Sequence, residues 1–196
     1  MSGRWGVFLD RDGAINEEVG LVTDPAQLVL IPGAAEGLKL LAAAGAVLVV
    51  VTNQSAVARG LVSEEGIVRI NEHLKALLKG KGASFDDALF CPHHPEKGHP
   101  EANDPRYRRD CECRKPKPGM ILAGARRNGI DLAASFMVGD STRDIEAGRR
   151  AGCRASVLVC TGHGGRDAHC PEAVPEAVVD DLRAAADWIL AKRKAR

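Results

Sequence analysis

The chain has 196 residues, with 27 basic against 26 acidic side chains and a net charge of +1. That length suits one domain with one core, and the neutral balance gives no argument for bulk electrostatic binding to nucleic acid or a membrane surface. The opening Met1-Ser2-Gly3-Arg4-Trp5-Gly6 lacks the pattern of a signal peptide, and the longest apolar run, Ala46–Val51, is too short to span a bilayer. A cytoplasmic monomer with no nucleic-acid or membrane partner is therefore expected.

Trp5–Leu9 is apolar and ends on a carboxylate, so it reads as a buried strand. Pro32-Gly33 opens a helical pattern through Leu38, Leu40 and Leu41 that stops at Gly45. Ala46–Val51 reads as a second buried strand. Ser63 has N-cap chemistry, Glu64 and Glu65 suit a first helical turn, and Ile67, Ile70, Leu74, Leu77 and Leu78 recur at helical spacing. Ala88–Cys91 is a short strand candidate. The segment from Pro92 to Pro118 shows no apolar periodicity, and so long a stretch calls for a function or a metal to hold it. Beyond it, a helix is expected over Met120–Arg127, closed by Gly129, then a strand over Phe136–Val138 that ends at Gly139-Asp140. A helix over Arg143–Ala151, a strand over Ala155–Val159, an edge strand at Val178-Val179 and an amphipathic helix over Leu182–Ala191 complete the chain. The basic tail Lys192–Arg196 reads as a solvated helix end.

Strands alternating with helices predict an α/β fold, residues 1–196 forming a single domain, with a mostly parallel Rossmann-like sheet and helices on both faces. Such sheets bind ligands beyond the carboxyl ends of their strands. Three predicted strands end in Asp10, Thr52 and Asp140, which places these chemically capable residues on one edge.

Asp10 and Asp12 are two apart in extended backbone and can face one ligand, with Gly13 allowing a sharp turn after them. One carboxylate can attack phosphorus to give an aspartyl-phosphate, and the other can shuttle the proton. Two carboxylates in one small site need a cation, and Mg²⁺ suits because it takes oxygen ligands and bridges to phosphate. A turn whose aspartates cap loose amides is the competing reading.

Four segments in order, Asp10-Arg11-Asp12-Gly13, Thr52-Asn53-Gln54-Ser55, Arg114-Lys115-Pro116 and Gly139-Asp140-Ser141-Thr142-Arg143-Asp144, resemble the motifs of the haloacid dehalogenase superfamily of phosphatases. The resemblance runs from about Val7 to Gly152. It implies that Asp10 is nucleophile and magnesium ligand, that Asp12 is general acid/base and offers its carbonyl to the metal, and that Asp140 completes the magnesium site. It further implies that Thr52 and Lys115 hold the transferring phosphoryl group and that Asp144 supports the site from behind.

Cys91-Pro92-His93 and Cys111-Glu112-Cys113 bracket the irregular segment. Three thiols and an imidazole in two close pairs suit a closed tetrahedral Zn²⁺ site, and a structural zinc would replace the core that this loop, about residues 91–113, lacks. His94 and His99 are alternative ligands to His93, and redox cysteines are the rival reading. Cys153, Cys160 and Cys170 have no such pairing.

With this loop the chain is similar to the zinc-loop subgroup of the superfamily, which contains heptose bisphosphate 7-phosphatases and histidinol-phosphate phosphatase domains and lacks a separate cap domain. The resemblance to the heptose enzymes implies a small-molecule sugar bisphosphate as substrate, in the synthesis of activated heptose for surface glycans. It also implies Glu18, Gly20, Leu21, Asn53, Gln54, Ser55 and Arg114 as substrate-side residues. Leu21 and Ser141 stand where Tyr and Lys occur in other members. A non-enzymatic alternative is a zinc-loop interaction module that binds nucleic acid through Arg106, Arg108 and Arg109.

Overall fold

The computed structural model describes residues 3–95 and 104–194. Six strands, β1 (Gly6–Leu9), β2 (Val47–Asn53), β3 (Asp87–Cys91), β4 (Phe136–Gly139), β5 (Ala155–Val159) and β6 (Ala177–Val179), form one sheet in the order β3-β2-β1-β4-β5-β6. Every neighbouring pair is parallel, with Val7 opposite both Leu48 and Phe136. Parallel strands require crossovers that cover the sheet, and covered strands must be apolar on both sides. That requirement explains the unbroken run from Val47 to Val51, all of it buried.

The helices are α1 (Ala34–Ala43), α2 (Glu64–Gly80), α3 (Gly119–Asn128), α4 (Thr142–Ala151) and α5 (Leu182–Lys194). Alternation along the strands divides the core into two layers. Val7, Leu9, Leu48, Val50, Phe136 and Val138 pack in the layer that includes Leu38 and Leu41 of α1, Ile70 and Leu74 of α2 and Ile189 of α5. Phe8, Val49, Val51 and Met137 pack in the other, with Met120, Ile121 and Ala125 of α3 and Ala147 of α4. Burial of one such side chain contributes roughly 1.5–3 kcal/mol. Ser63 caps α2 by accepting from the Gly66 amide at 3.1 Å, and Gly129 ends α3 in the left-handed conformation.

Several element ends shift by one residue from expectation, and two run on further. β2 continues past Val51 through Thr52 and Asn53, because these polar residues keep their ladder partners Phe90 and Cys91 while reaching the site. α5 runs three residues beyond Ala191, where Lys192, Arg193 and Lys194 complement the helix dipole. No helix among the described residues is long and apolar enough to cross a membrane.

From β1 the chain winds outward through β2 and β3, and from β4 it winds the other way through β5 and β6. The strand order reverses between β1 and β4, which is where a doubly wound sheet opens a crevice at its carboxyl edge. Asp10 follows β1 and Asp140 follows β4, so both stand at that point.

Candidate active site

At the crevice, Asp10, Asp140 and Asp144 each bring a carboxylate oxygen within 4.8 Å of the others. Lys115 is buried and its Nζ lies 2.8 Å from Asp10 Oδ1 and 2.7 Å from Asp144 Oδ1. Burial first, then the Asp144 charge, pushes Asp10 up to about 7. Burial, followed by Asp10 and Asp144, pushes Asp140 up to about 8. Burial acts to lower Lys115, but the two facing carboxylates win and hold its ammonium above the ordinary range. When all four groups are charged, three carboxylates face one ammonium, a surplus that a divalent cation balances.

The loop after β5 fixes Asp140. His163 N donates to Asp140 Oδ2 at 2.6 Å and Gly165 N donates to its carbonyl at 2.7 Å. Gly13 and Gly162, both at positive φ, press so closely on the Asp140 carboxylate that a Cβ on either would collide with it. Asp144 is set by a reciprocal helix cap: its Oδ2 accepts from Ser141 N at 3.0 Å, and Ser141 Oγ accepts from Arg143 N at 3.1 Å.

Asp12 accepts four hydrogen bonds: from Arg11 Nε at 3.0 Å and Nη2 at 2.8 Å, from Asn16 Nδ2 at 2.8 Å and from Gln54 Nε2 at 2.8 Å. The Arg11 guanidinium is wholly buried and also donates to Asn71 of α2 at 3.2 Å. Breaking a buried pair of this kind costs about 3–5 kcal/mol, because the surviving charge is stranded. Gln54 Nε2 also donates to Thr52 Oγ1 at 2.9 Å, which ties Thr52 to the same network.

These groups line a cavity of about 260 Å³. Its wall includes Asp10, Asp12, Thr52, Lys115 and Asp140, together with six of the seven expected substrate-side residues: Glu18, Gly20, Leu21, Asn53, Ser55 and Arg114. Gln54 is buried behind the wall, and its amide is spent on Asp12 and Thr52. Asn53 lines the cavity, yet its amide pairs with the Lys115 backbone in both directions at 3.1 Å. Burial raises Glu18 above the usual carboxylate range, and its Oε2 stands 3.9 Å from His163 Nε2 across the mouth.

Beside the cavity, Cys91, His93, Cys111 and Cys113 converge. Cys113 Sγ lies 3.1 Å from Cys91 Sγ, 3.3 Å from Cys111 Sγ and 3.4 Å from His93 Nδ1. Cys91 Sγ lies 3.5 Å from Cys111 Sγ and 3.7 Å from His93 Nδ1. Ligands at zinc distances and tetrahedral angles stand about 3.5–3.8 Å apart; the sulfurs here lie slightly closer, at 3.1–3.5 Å, and three thiols with one imidazole are the donor set that suits that ion. No disulfide joins these cysteines. Contact with Cys91 holds the Cys113 thiol down to about 5, while contact with Cys113 and burial push Cys91 far up. His94 lies outside the cluster, its amide donating to Tyr107 O at 3.0 Å. His99 falls outside the described residues. Arg114 Nη1 donates to His93 O at 3.0 Å, which links the cluster to the cavity wall.

Comparison with known proteins gives this geometry a context. Residues 112–185 match the HAD-hydrolase-like family. Over 157 residues, 80% of this chain and 82% of the relative, the sequence is 44% identical to D-glycero-beta-D-manno-heptose-1,7-bisphosphate 7-phosphatase of Pasteurella multocida. It is 39% identical to the phosphatase of the same name from Vibrio cholerae, over 96% of this chain and 97% of that one. The chain belongs to the heptose bisphosphate phosphatases of the haloacid dehalogenase superfamily. A solved structure of D,D-heptose 1,7-bisphosphate phosphatase from B. bronchiseptica, complexed with magnesium and phosphate, superposes with a TM-score of 0.80 at 36% identity, covering 96% of this chain and 99% of that one.

Within this heptose bisphosphate phosphatase fold, several cavity or network residues were not foreseen from sequence. Arg11, Asn16 and Asn71 support Asp12, and Ser141, Arg143 and His163 line the wall. Their signals were weak because each is a polar residue of ordinary type, given meaning only by chain segments that meet it in space. Arg106, part of the alternative interaction module, is paired with Asp104 at the surface.

Proposed function

We propose that this chain is a magnesium-dependent phosphatase that removes the C7 phosphate of D-glycero-D-manno-heptose 1,7-bisphosphate. The observation that carries the reading is the convergence of Asp10, Asp12, Lys115 and Asp140 on one cavity, in a chain 44% identical to a heptose bisphosphate 7-phosphatase.

Asp10 is the nucleophile. Its carboxylate attacks phosphorus, the P–O bond to C7 breaks, and the leaving oxygen takes a proton from Asp12. Asp12, then a carboxylate, removes a proton from water, whose oxygen attacks phosphorus and releases phosphate from Asp10. Asp12 is positioned by its four donors, two on each oxygen, and one of those contacts has to break when it carries the proton. Lys115 neutralises charge on the phosphoryl group and holds Asp10 toward it, and the Thr52 hydroxyl is placed to donate to a phosphoryl oxygen. Asp10, Asp140 and the Asp12 carbonyl are the groups that would hold Mg²⁺. When bound, that ion neutralises the carboxylates and the phosphate oxygens. Asp144 keeps Lys115 in line. Glu18, Gly20, Leu21, Asn53, Ser55 and Arg114 form the sugar-side wall, and Gln54 acts through Asp12 and Thr52. Cys91, His93, Cys111 and Cys113 hold a structural Zn²⁺, and the whole chain acts as one domain.

The raised carboxylates make the metal site pH-sensitive. Without metal, folded Asp10 and Asp140 keep protons that the unfolded chain releases near the ordinary 3.8. These two groups bind more protons in the folded state, so their contribution to metal-free stability is fully present below about pH 4 and is lost as pH rises through 7 to 8. Mg²⁺ displaces those protons, so its affinity is expected to rise across the same window. Titrations of Mg²⁺ between pH 5.5 and 8.5, with melting curves of metal-free protein, check both slopes; affinity independent of pH would contradict the assignment.

The substrate is tested by comparing kcat/KM for both anomers of the heptose bisphosphate with histidinol phosphate. One heptose bisphosphate anomer is expected to lead by at least about 100-fold, the discrimination available to a site with charged partners for a second phosphate. A preference for histidinol phosphate would overturn the reading.

A further inference from the structure

Arg143 is the second residue of α4, a poor place for a cation, because a helix N-terminus carries partial positive charge. The anionic partners of that terminus are already in place. Asp144 caps the Ser141 amide, and Asp167 accepts from Ser141 Oγ, from Thr142 N at 3.2 Å and from Thr142 Oγ1 at 2.8 Å. Arg143 engages this cluster only through Nε, which donates to Ser141 Oγ at 3.3 Å and lies 3.9 Å from Asp167 Oδ2. Among the described residues its two terminal nitrogens make no hydrogen bond or ion pair. The fork of the guanidinium is held at its base and left open at its tip.

The side chain lines the catalytic cavity and also an adjoining cavity of about 580 Å³, and Ser55, Arg114 and Lys115 are shared in the same way. Other cations on the second cavity's wall have their own partners: Arg150 meets Glu146 at 2.6 Å, and Lys117 meets Asp110 at 2.7 Å. A sugar bisphosphate whose reacting phosphate meets Asp10 and Lys115 must extend its other phosphate away from the three carboxylates. The boundary between the two cavities offers that direction, with Arg114 and Arg143 both on it.

We infer that Arg143 determines specificity by binding the phosphate that is not hydrolysed, its open fork taking two oxygens beside Arg114. This rests on the reading of the site as a bisphosphatase. The ligand class is a sugar carrying a second phosphate.

The test uses the full chain loaded with Mg²⁺, with heptose 1,7-bisphosphate and heptose 7-phosphate as paired substrates. Arg143→Ala, and Arg143→Met, which keeps the apolar stem, are expected to lose about 10- to 100-fold in kcat/KM on the bisphosphate, mainly through KM. The loss on the monophosphate is expected to be at least about five-fold smaller. Equal losses on the two substrates would mean that Arg143 only shapes the α4 terminus, and no loss on either would remove it from the site; each overturns the inference. A wild-type protein that does not prefer the bisphosphate over the monophosphate would overturn the bisphosphatase reading as well, whereas a wild-type preference left undiminished in the variants would defeat the inference alone.

Discussion

Asp10→Asn is expected to lower kcat by at least about 10⁴-fold while leaving the fold intact, the scale seen when a covalent nucleophile is removed. The amide is nearly isosteric and can still accept from the Lys115 ammonium, which now lies 2.8 Å from Asp10 Oδ1. It cannot supply the electron pair that forms the aspartyl-phosphate. Its effect on stability separates chemistry from structure. Asp10 is raised to about 7 because burial and Asp144 oppose its charge, so removing that charge relieves repulsion at neutral pH. The metal-free variant should therefore melt no lower than wild type at pH 8, and the advantage should shrink as pH falls below 7 and wild-type Asp10 takes its proton. Phosphate release measured beside thermal melts checks both halves. Turnover near the wild-type rate would remove Asp10 from the chemistry, and a collapsed melt would show that its role is structural.

The pair Asp10 and Asp12 could be read from sequence because a strand followed by Asp-x-Asp-Gly is a local pattern. The sheet's alternation was legible for the same reason: Val7, Phe8 and Leu9 carry their facing in their order. What joins distant segments was not legible in this way. Lys115 is separated from Asp10 by more than half the chain, and the tight pairing with Asp10 and Asp144 arises because Asn53 clamps its backbone at the end of β2. Motif order indicated Lys115, but nothing local distinguished it from a surface lysine. Gln54 had a usable signal, since it is two residues from Thr52 in extended backbone and points with it toward Asp12. Asp144 likewise completes Ser141-x-x-Asp144, a capping pattern visible in the sequence. Arg11 had none: a charged residue between two aspartates looks solvated, and only Asn71, brought in by α2, completes its burial.

Replacing Cys111 and Cys113 together by Ser is expected to cost more than the loop alone. The segment around them offers little apolar surface, so metal binding would supply its folding free energy, and structural zinc in small sites contributes on the order of 10 kcal/mol. The two residues after Cys113 are Arg114 and Lys115. Arg114 is held by the carbonyl of His93, a member of the same cluster, and the Gly119 amide that starts α3 donates to Glu112 O at 2.9 Å. Releasing the cluster therefore loosens both the arginine on the cavity wall and the lysine beside the nucleophile. The purified protein should carry one equivalent of zinc that excess Mg²⁺ does not displace. The double variant should lose that zinc, melt about 10 °C or more lower, and turn over at least about 100-fold more slowly because Lys115 is no longer aimed at Asp10. Cys153→Ser is the matched control, since that thiol lies outside the cluster and should leave zinc content unchanged. Metal analysis, melting and kinetics on the same preparations decide the point: zinc lost with full activity would confine the ion to the loop, and zinc retained would move its ligands elsewhere. The joint loss of zinc, stability and Lys115-dependent turnover is the result expected if a metal holds the loop directly before Lys115.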